Sequence, residues 1–479
     1  MRTLPLFALF TATSALALVL TAAPIRLQHD NSRWFQYQDE TIAFITSAEH
    51  YGAVLNLDFD FHTYLAALER DGMNYTRIFA GSYVEPKGAF DIAHNTLAPA
   101  PGRFIAPWAR SDEPGYAGGG NKFDLDQFNP AYLSRLHDFI TTAAHHHVIV
   151  ELTFFTSTYG DQQWAVHPFN PANNIQSFDV LDWNKLHTTG NGPAVISRQE
   201  KLVRWLVREL NAHDNLFFEL QNEPWSDNHT MSEAINPYLR GKLKFPNVVE
   251  LTTPDALAWQ RTITQIITDE ETPLPQKHLI AQNVANFRSP VSTGDIAPEI
   301  SIINFHYAYP EAAQWNEGLG RVIGYDESGF AGREDKTYRR QAWNFIMSGG
   351  GLFNNLDYSF HVGAEDGTGT ENKAPGGGSP TLRRQLKILA DFLHHFELSD
   401  LNPDHQVMKA SPGAVARVLS TPGQHYLIYL EGRGANTINL QLSPGLWLVE
   451  WLNVESGEYS SRLTITANRG STPVTSPPI

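Results

Sequence analysis

The chain has 479 residues, 51 acidic against 35 basic side chains for a formal charge of −16, 42% hydrophobic and 11% aromatic residues, and no cysteine. That length exceeds one ordinary core and suits a large domain with a smaller one attached. The acidic balance disfavours nucleic acid and anionic membrane surfaces as partners. The lack of cysteine excludes disulfides, thiol nucleophiles and thiolate metal sites. A neutral polymer such as a glycan remains compatible.

Residues 1–23 read as a secretory signal peptide: Arg2, an apolar run from Leu4 to Leu20, then small residues to Ala23. The expectation is a secreted or periplasmic protein, monomeric, without membrane contact beyond this segment. From residue 41 onward, short apolar runs alternate with segments of helical period, as in a parallel sheet covered by helices. Eight strands are predicted: 41–47, 74–79, 148–155, 216–222, 278–284, 301–308, 321–328 and 351–358. Eight strands close a (β/α)8 barrel, here assigned to residues 24–404.

Helix signals fall between the strands. Phe61, Leu65 and Leu68 form a stripe ended by Gly72, and Ser197 with Glu200 has capping-box spacing before Leu202, Leu206 and Leu210. Thr253-Pro254 and Ser379-Pro380 each pair a cap residue with a first-turn proline. The segment between the fifth and sixth strands lacks a clear helix. The connections 80–131, 156–192 and 223–253 are long, and at the carboxyl ends of barrel strands such insertions build a substrate cleft. After residue 404 the pattern changes to short alternating strands with turn residues, which predicts a small β-sandwich over 405–470 and a disordered tail at 471–479.

The chemistry concentrates at two strand ends. The fourth strand, LFFELQN, runs into Glu223-Pro224-Trp225, and the seventh, RVIGYDES, carries Glu327. Strand-end side chains face the barrel mouth, so these two carboxylates can flank a glycosidic bond. Strand alternation turns Asp326 away if Glu327 faces the cleft.

Here the sequence resembles the clan A glycoside hydrolases of the cellulase-like family 5 type. Leu220-Gln221-Asn222-Glu223-Pro224 resembles their acid/base motif, and Glu327-Ser328-Gly329 resembles their nucleophile, where Glu-x-Gly is common. The resemblance implies a retaining hydrolysis of β-glycosidic bonds by double displacement, with Glu223 as acid/base and Glu327 as nucleophile. It also implies a polysaccharide or oligosaccharide substrate and no metal or organic cofactor. Arg77 resembles the clan's second-strand arginine, Asn222 would bind the sugar 2-hydroxyl, and His306 resembles the sixth-strand histidine. The family's His-x-Tyr spacing is altered in NFHYAYP, so either Tyr307 or Tyr309 supports the nucleophile. The eighth strand offers Asn354, Asn355, Asp357 and Tyr358 where many members carry a tryptophan, so subsites do not carry over. Trp225 and Trp164 are candidate sugar platforms. The run from Trp451 to Glu458 resembles β-modules appended to some such enzymes. The alternative is a non-catalytic glycan-binding protein on the same barrel.

Three further features read as structural. His145-His146-His147 is a surface turn, the glycine clusters 118–120 and 376–378 lack the Lys-Ser/Thr of a phosphate loop, and 363–372 matches no EF-hand spacing.

Overall fold

The computed structural model describes residues 23–178, 182–235, 245–370 and 373–478. The signal-peptide expectation falls almost wholly on residues 1–22, outside the described residues. No helix among the described residues is long and apolar enough to cross a membrane.

Eight parallel strands form the barrel: β1 (Phe44–Ala48), β2 (Tyr75–Phe79), β3 (Ile149–Thr156), β4 (Leu216–Asn222), β5 (Ile280–Asn286), β6 (Ile302–His306), β7 (Val322–Ser328) and β8 (Leu352–Leu356). They neighbour one another in the order 1-8-7-6-5-4-3-2. Strands β1 and β2 face each other where the circle closes, and the Asn74 side chain spans that seam. It accepts from the Ile45 N–H at 3.0 Å and donates to the Ala43 carbonyl at 2.9 Å.

Each predicted strand is present within a few residues. The first differs because the chain bends at Ala43: Glu40–Ile42 pairs with Phe35–Tyr37 in a small N-terminal sheet, and only Phe44–Ala48 enters the barrel. That sheet plugs the floor, with Phe35 stacked on Phe44 at 4.1 Å.

The outer helices are α1 (Phe61–Arg70), α2 (Pro130–His145), α3 (Pro193–Leu210), α4 (Pro254–Glu271), α5 (Pro310–Asn316), α6 (Asp335–Ile346) and α7 (Pro380–Leu393). Among the described residues no helix joins β5 to β6, as expected. Thr253 and Ser379 cap their helices, Ser379 Oγ accepting from Leu382 N–H at 3.0 Å. Ser197 is not a cap: α3 starts four residues earlier, at Pro193, because Gly192-Pro193 already supplies a turn and a fixed first φ. The long connections carry hairpins, Trp108–Pro114 with Asn121–Phe128 and His229–Ala234 with Val248–Thr252.

The C-terminal module is all β. Its sheets join Asn402–Pro403, Ala414–Thr421 and His425–Gly432; Met408–Ala410, Thr437–Leu440 and Thr472–Thr475; and Gly445–Val449 with Leu463–Ala467. Val407, Val418, Ile438, Leu440 and Val474 lie at its core. The tail is therefore not disordered throughout. Thr472–Thr475 pairs with Thr437–Leu440 because Val474 alternates inward, a period-2 signal masked by the surrounding prolines.

Strand alternation stacks the barrel interior in layers. The lowest is apolar: Phe44, Tyr75, Ile149, Phe217, Ile302, Val322 and Leu352. Two residues further along the same strands stand Thr46, Arg77, Glu151, Glu219, Asn304, Gly324 and Asn354, so the next layer is almost wholly polar. Gly324 leaves room there: a Cβ would lie 2.1 Å from Asn304 Oδ1, so any larger residue would displace that side chain. Above this layer the strand ends open into the mouth.

Candidate active site

Glu223 leaves the end of β4 with φ 48°, a left-handed conformation that turns its side chain into the mouth. Its backbone N–H is held by Asn283 Oδ1 at 3.1 Å and its carbonyl by Ser157 Oγ at 2.6 Å. Its carboxylate accepts from His306 Nδ1 at 3.0 Å and Ser226 Oγ at 3.1 Å. Across the mouth, Glu327 accepts from the Tyr307 hydroxyl at 2.6 Å and faces Arg77 Nη1 at 3.5 Å and His306 Nδ1 at 3.6 Å. One carboxylate oxygen of each glutamate and one His306 nitrogen all lie within 4.8 Å of one another.

Tyr307, not Tyr309, reaches the seventh-strand glutamate. Its φ of 52° reverses the strand exit and returns the side chain inward one residue after His306, which compensates for the altered spacing. Tyr309 lies outside the pocket, half-exposed and stacked on Phe287. Neither tryptophan ring stacks over the glutamate pair. Trp225 is 1% exposed, with its ring perpendicular to His306, and Trp164 packs against His167 away from the pocket. Their place in loops made them candidates, and Trp225 serves core packing instead.

Asp326 also departs from the alternation expected along β7. It does not turn away from Glu327, because β7 carries a bulge: Phe305 pairs with Tyr325 and His306 with Glu327, leaving Asp326 as the extra residue. Both acids therefore face inward at different depths. Asp326 lies 3.4 Å from Arg77 Nη2 and 3.4 Å from His306 Nε2.

Beneath the pair lies a network unmarked by any motif. Glu219 accepts from Arg77 Nε at 2.9 Å, Thr153 Oγ1 at 2.7 Å and Asn304 Nδ2 at 3.0 Å, and also from Asn283. Arg77 Nη2 donates to Asn222 Oδ1 at 2.8 Å, and Asn222 Nδ2 to the Tyr159 hydroxyl at 2.6 Å. Tyr51 lies under the guanidinium at 4.7 Å. Glu219 thus ties Arg77, which faces Glu327, to Asn283, which holds the backbone of Glu223. The sequence did carry one signal: Phe217, Glu219 and Gln221 share the inward parity of β4.

Five carboxylates (Glu151, Glu219, Glu223, Asp326 and Glu327) surround two cationic side chains, Arg77 and His306. Burial pushes Glu219 up to about 7, against the pull of Arg77, and raises Glu151 well above the usual carboxylate range, helped by Glu219. Burial also opposes ionisation of Asp326, but His306 and Arg77 hold it down at about 2. His306 is kept protonated well above the ordinary imidazole range by Asp326, Glu327 and Glu223, in spite of burial. Glu327 is raised, by burial and then by the charge of Glu223. Glu223 is lowered, since its bond to the His306 imidazolium outweighs burial. Two sets of side chains could present three ligand atoms to a metal, Glu223/His306/Glu327 and Glu151/Glu219/Asp326. The Arg77 guanidinium faces members of both and already supplies a positive charge there.

A pocket opens over the pair, and aromatic side chains, His50 and Glu85 line it beside the two glutamates. Among the described residues, six of the ten non-glycine residues with positive φ line it: Tyr51, Phe90, Tyr159, Glu223, Tyr307 and Phe330. Such conformations are costly and cluster where side-chain placement matters more than stability. A larger hollow lies between barrel and module beside Asp404, His405 and Arg417, and no strand-end acid opens into it.

No family model and no curated protein matches the sequence. Solved structures do match. A glycoside hydrolase family 5 structure from Bacteroides vulgatus ATCC 8482 superposes over 96% of this chain and 93% of its own, at 10% identity and TM-score 0.57. Another, described as a glycoside hydrolase, covers 95% and 93% at 11% identity and TM-score 0.58. The fold is that of these glycoside hydrolases. With identities this low, chemistry has to be argued from the side chains.

Proposed function

We propose that the protein is an exported, retaining β-glycoside hydrolase that acts by double displacement on an oligosaccharide or polysaccharide. The observation that carries this reading is the approach of the Glu223 and Glu327 carboxylates within 4.8 Å at the mouth. Retaining enzymes hold their carboxyls about 5–5.5 Å apart, whereas inverting enzymes need about 6.5–9.5 Å to admit a water.

Glu327 is the nucleophile. Its charged form is favoured by the Tyr307 hydroxyl, Arg77 and His306, which also aim it. Glu223 is the acid/base, and its proton is stored in the resting protein on His306, along the 3.0 Å hydrogen bond that joins them. A lowered Glu223 can therefore still serve as an acid, because the proton shifts from Nδ1 to the carboxylate as the departing oxygen draws on it. Glu223 then takes a proton from the incoming water. The glycosyl–Glu327 ester forms as the glycosidic bond breaks, and water cleaves it to restore the anomeric configuration.

The test is hydrolysis of glucans, mannans, xylans and aryl β-glycosides, with the first-formed anomer followed by NMR. The expected product is the β-anomer, lost in both Glu223→Gln and Glu327→Gln. An α-anomer as first product would exclude double displacement, and glycan retention without product would favour a binding protein. The rate should be bell-shaped. Its acid limb lies above the ordinary glutamate value of 4.5, because Glu327 is raised. Its alkaline limb lies above 6.5, because the stored proton sits on a raised His306.

A further inference from the structure

The pocket does not stop at the glutamates. It continues to the strand-1 side of the barrel, where His50 and Glu85 form its wall. His50 is only 8% exposed, yet neither ring nitrogen has a hydrogen-bond partner. Glu85 accepts from the Tyr83 hydroxyl at 3.1 Å and from the Asn95 amide, and stops 3.8 Å from His50 Nε2, beyond hydrogen-bond reach. Neither side chain is needed for the two-glutamate step. Buried polar groups are normally satisfied, so an imidazole left unanswered beside a carboxylate marks a place for a polar ligand. A sugar hydroxyl accepts from the imidazole and donates to the carboxylate at once.

The rim makes this end blind. Phe90, on the connection after β2, makes edge contacts with Tyr159 at 5.3 Å and with Phe330, on the connection after β7, at 6.4 Å. That aromatic bridge leaves β1 and β8 on one side and β3 to β6 on the other. On the β1/β8 side the connections after β2 and β8 are fastened together. His94 stacks on His361 at 4.5 Å, and Ala93 N–H donates to the Lys373 carbonyl at 2.9 Å. A glycan that passes the glutamates toward this end therefore meets His50 and a wall.

We infer that the His50–Glu85 end of the pocket seats the non-reducing terminal sugar of the substrate, so that the protein releases single sugars from chain ends, one water consumed per sugar. The inference rests on the hydrolase reading, in which the sugar beyond Glu327 is the one whose anomeric carbon is attacked.

The test uses the full chain and β-linked gluco-, manno- and xylo-oligosaccharides labelled at the reducing end, each free or capped at the terminal sugar by methylation of its hydroxyls. From the earliest time point the expected unlabelled product is the monosaccharide alone, and capped chains resist cleavage. Unlabelled di- or trisaccharide at first turnover, or cleavage of capped chains, overturns the inference while leaving the hydrolase reading intact. If nothing in the panel is hydrolysed, the hydrolase reading fails. The pocket is then judged by calorimetric titration of the same chains into Glu327→Gln, where equal binding of free and capped chains, or none, overturns it. Glu85→Gln and His50→Asn, checked for native melting, are expected to raise KM about tenfold or more with a smaller change in kcat.

Discussion

The floor of the barrel and the layer one pleat above it come from the same strands, yet they are opposites. Phe44, Tyr75 and Phe217 stack below, at centroid distances of 5.6 to 6.1 Å. Two residues along those strands, Thr46, Arg77 and Glu219 stand above them, and Arg77 and Glu219 belong to the charged network. A period of two lets one strand serve both ends of the barrel: apolar burial at the floor contributes stability, about 1.5–3 kcal/mol for a large side chain, and the upper layer uses it to keep charges where water is scarce. Function and stability are therefore separable along a single strand.

The strongest test of that separation is at the mouth. Glu223→Gln and Glu327→Gln should each lower kcat by about a thousandfold or more; the melting temperature should equal or exceed the parent's in Glu327→Gln, whose charge is opposed by burial and by Glu223, and fall only slightly in Glu223→Gln, which gives up the charge in its bond to the His306 imidazolium. Loss of melting temperature in parallel with activity would tie the pair to the fold instead. The converse is Phe44→Ala at the floor. It should cost about 3–5 kcal/mol of stability, measured by denaturant titration, while kcat per folded molecule stays unchanged.

Protonation sharpens the comparison next. Glu219 and Glu49 are both raised to about 7 by burial, and burial with the charge of Glu219 raises Glu151 well above the usual carboxylate range. The folded protein thus keeps protons that the unfolded chain gives up near 4.5, so stability falls as pH rises from about 4.5 to 7. His306 has the same sign, its contribution being lost as pH climbs through its raised value, while Asp326, lowered to about 2, matters only in strong acid. Melting temperature should fall between pH 5 and pH 8, with Glu219 alone contributing on the order of 3 kcal/mol. Glu219→Gln should flatten that dependence. A melting temperature that rises over this range would mean that the upper layer holds fewer protons than its crowding of acids requires.

The sequence was legible where a periodic pattern or a strand-end motif spoke. The barrel strands, the absent β5–β6 helix, and the meeting of Glu223, Glu327, Arg77 and His306 all followed from position along strands. What it hid was set by single-residue irregularities and by contacts between distant segments. The bulge at Asp326 breaks the alternation rule, and its one sequence hint is Gly324, two residues earlier in the same strand. Glu219 and Glu151 look like chance polar residues in apolar strands until Arg77 is seen between them. His50 and Glu85 meet only because two connections fold over β1. Trp225 and Trp164 misled because an aromatic in a loop reads the same whether it faces a ligand or the core.

The two tyrosines of NFHYAYP provide the finest discrimination. Tyr307→Phe removes the hydroxyl bonded to Glu327 at 2.6 Å, a hydrogen bond to a charged acceptor worth about 1.5–3 kcal/mol, so kcat should fall roughly tenfold to a hundredfold. The acid limb of the pH profile should move upward, because the charged form of Glu327 has lost a donor. Tyr309→Phe, two residues on, loses a half-exposed hydroxyl outside the pocket and should leave kcat and KM within about twofold. The pair differ by a left-handed backbone turn at residue 307, so equal effects of the two changes would mean that the turn does not set which ring serves Glu327.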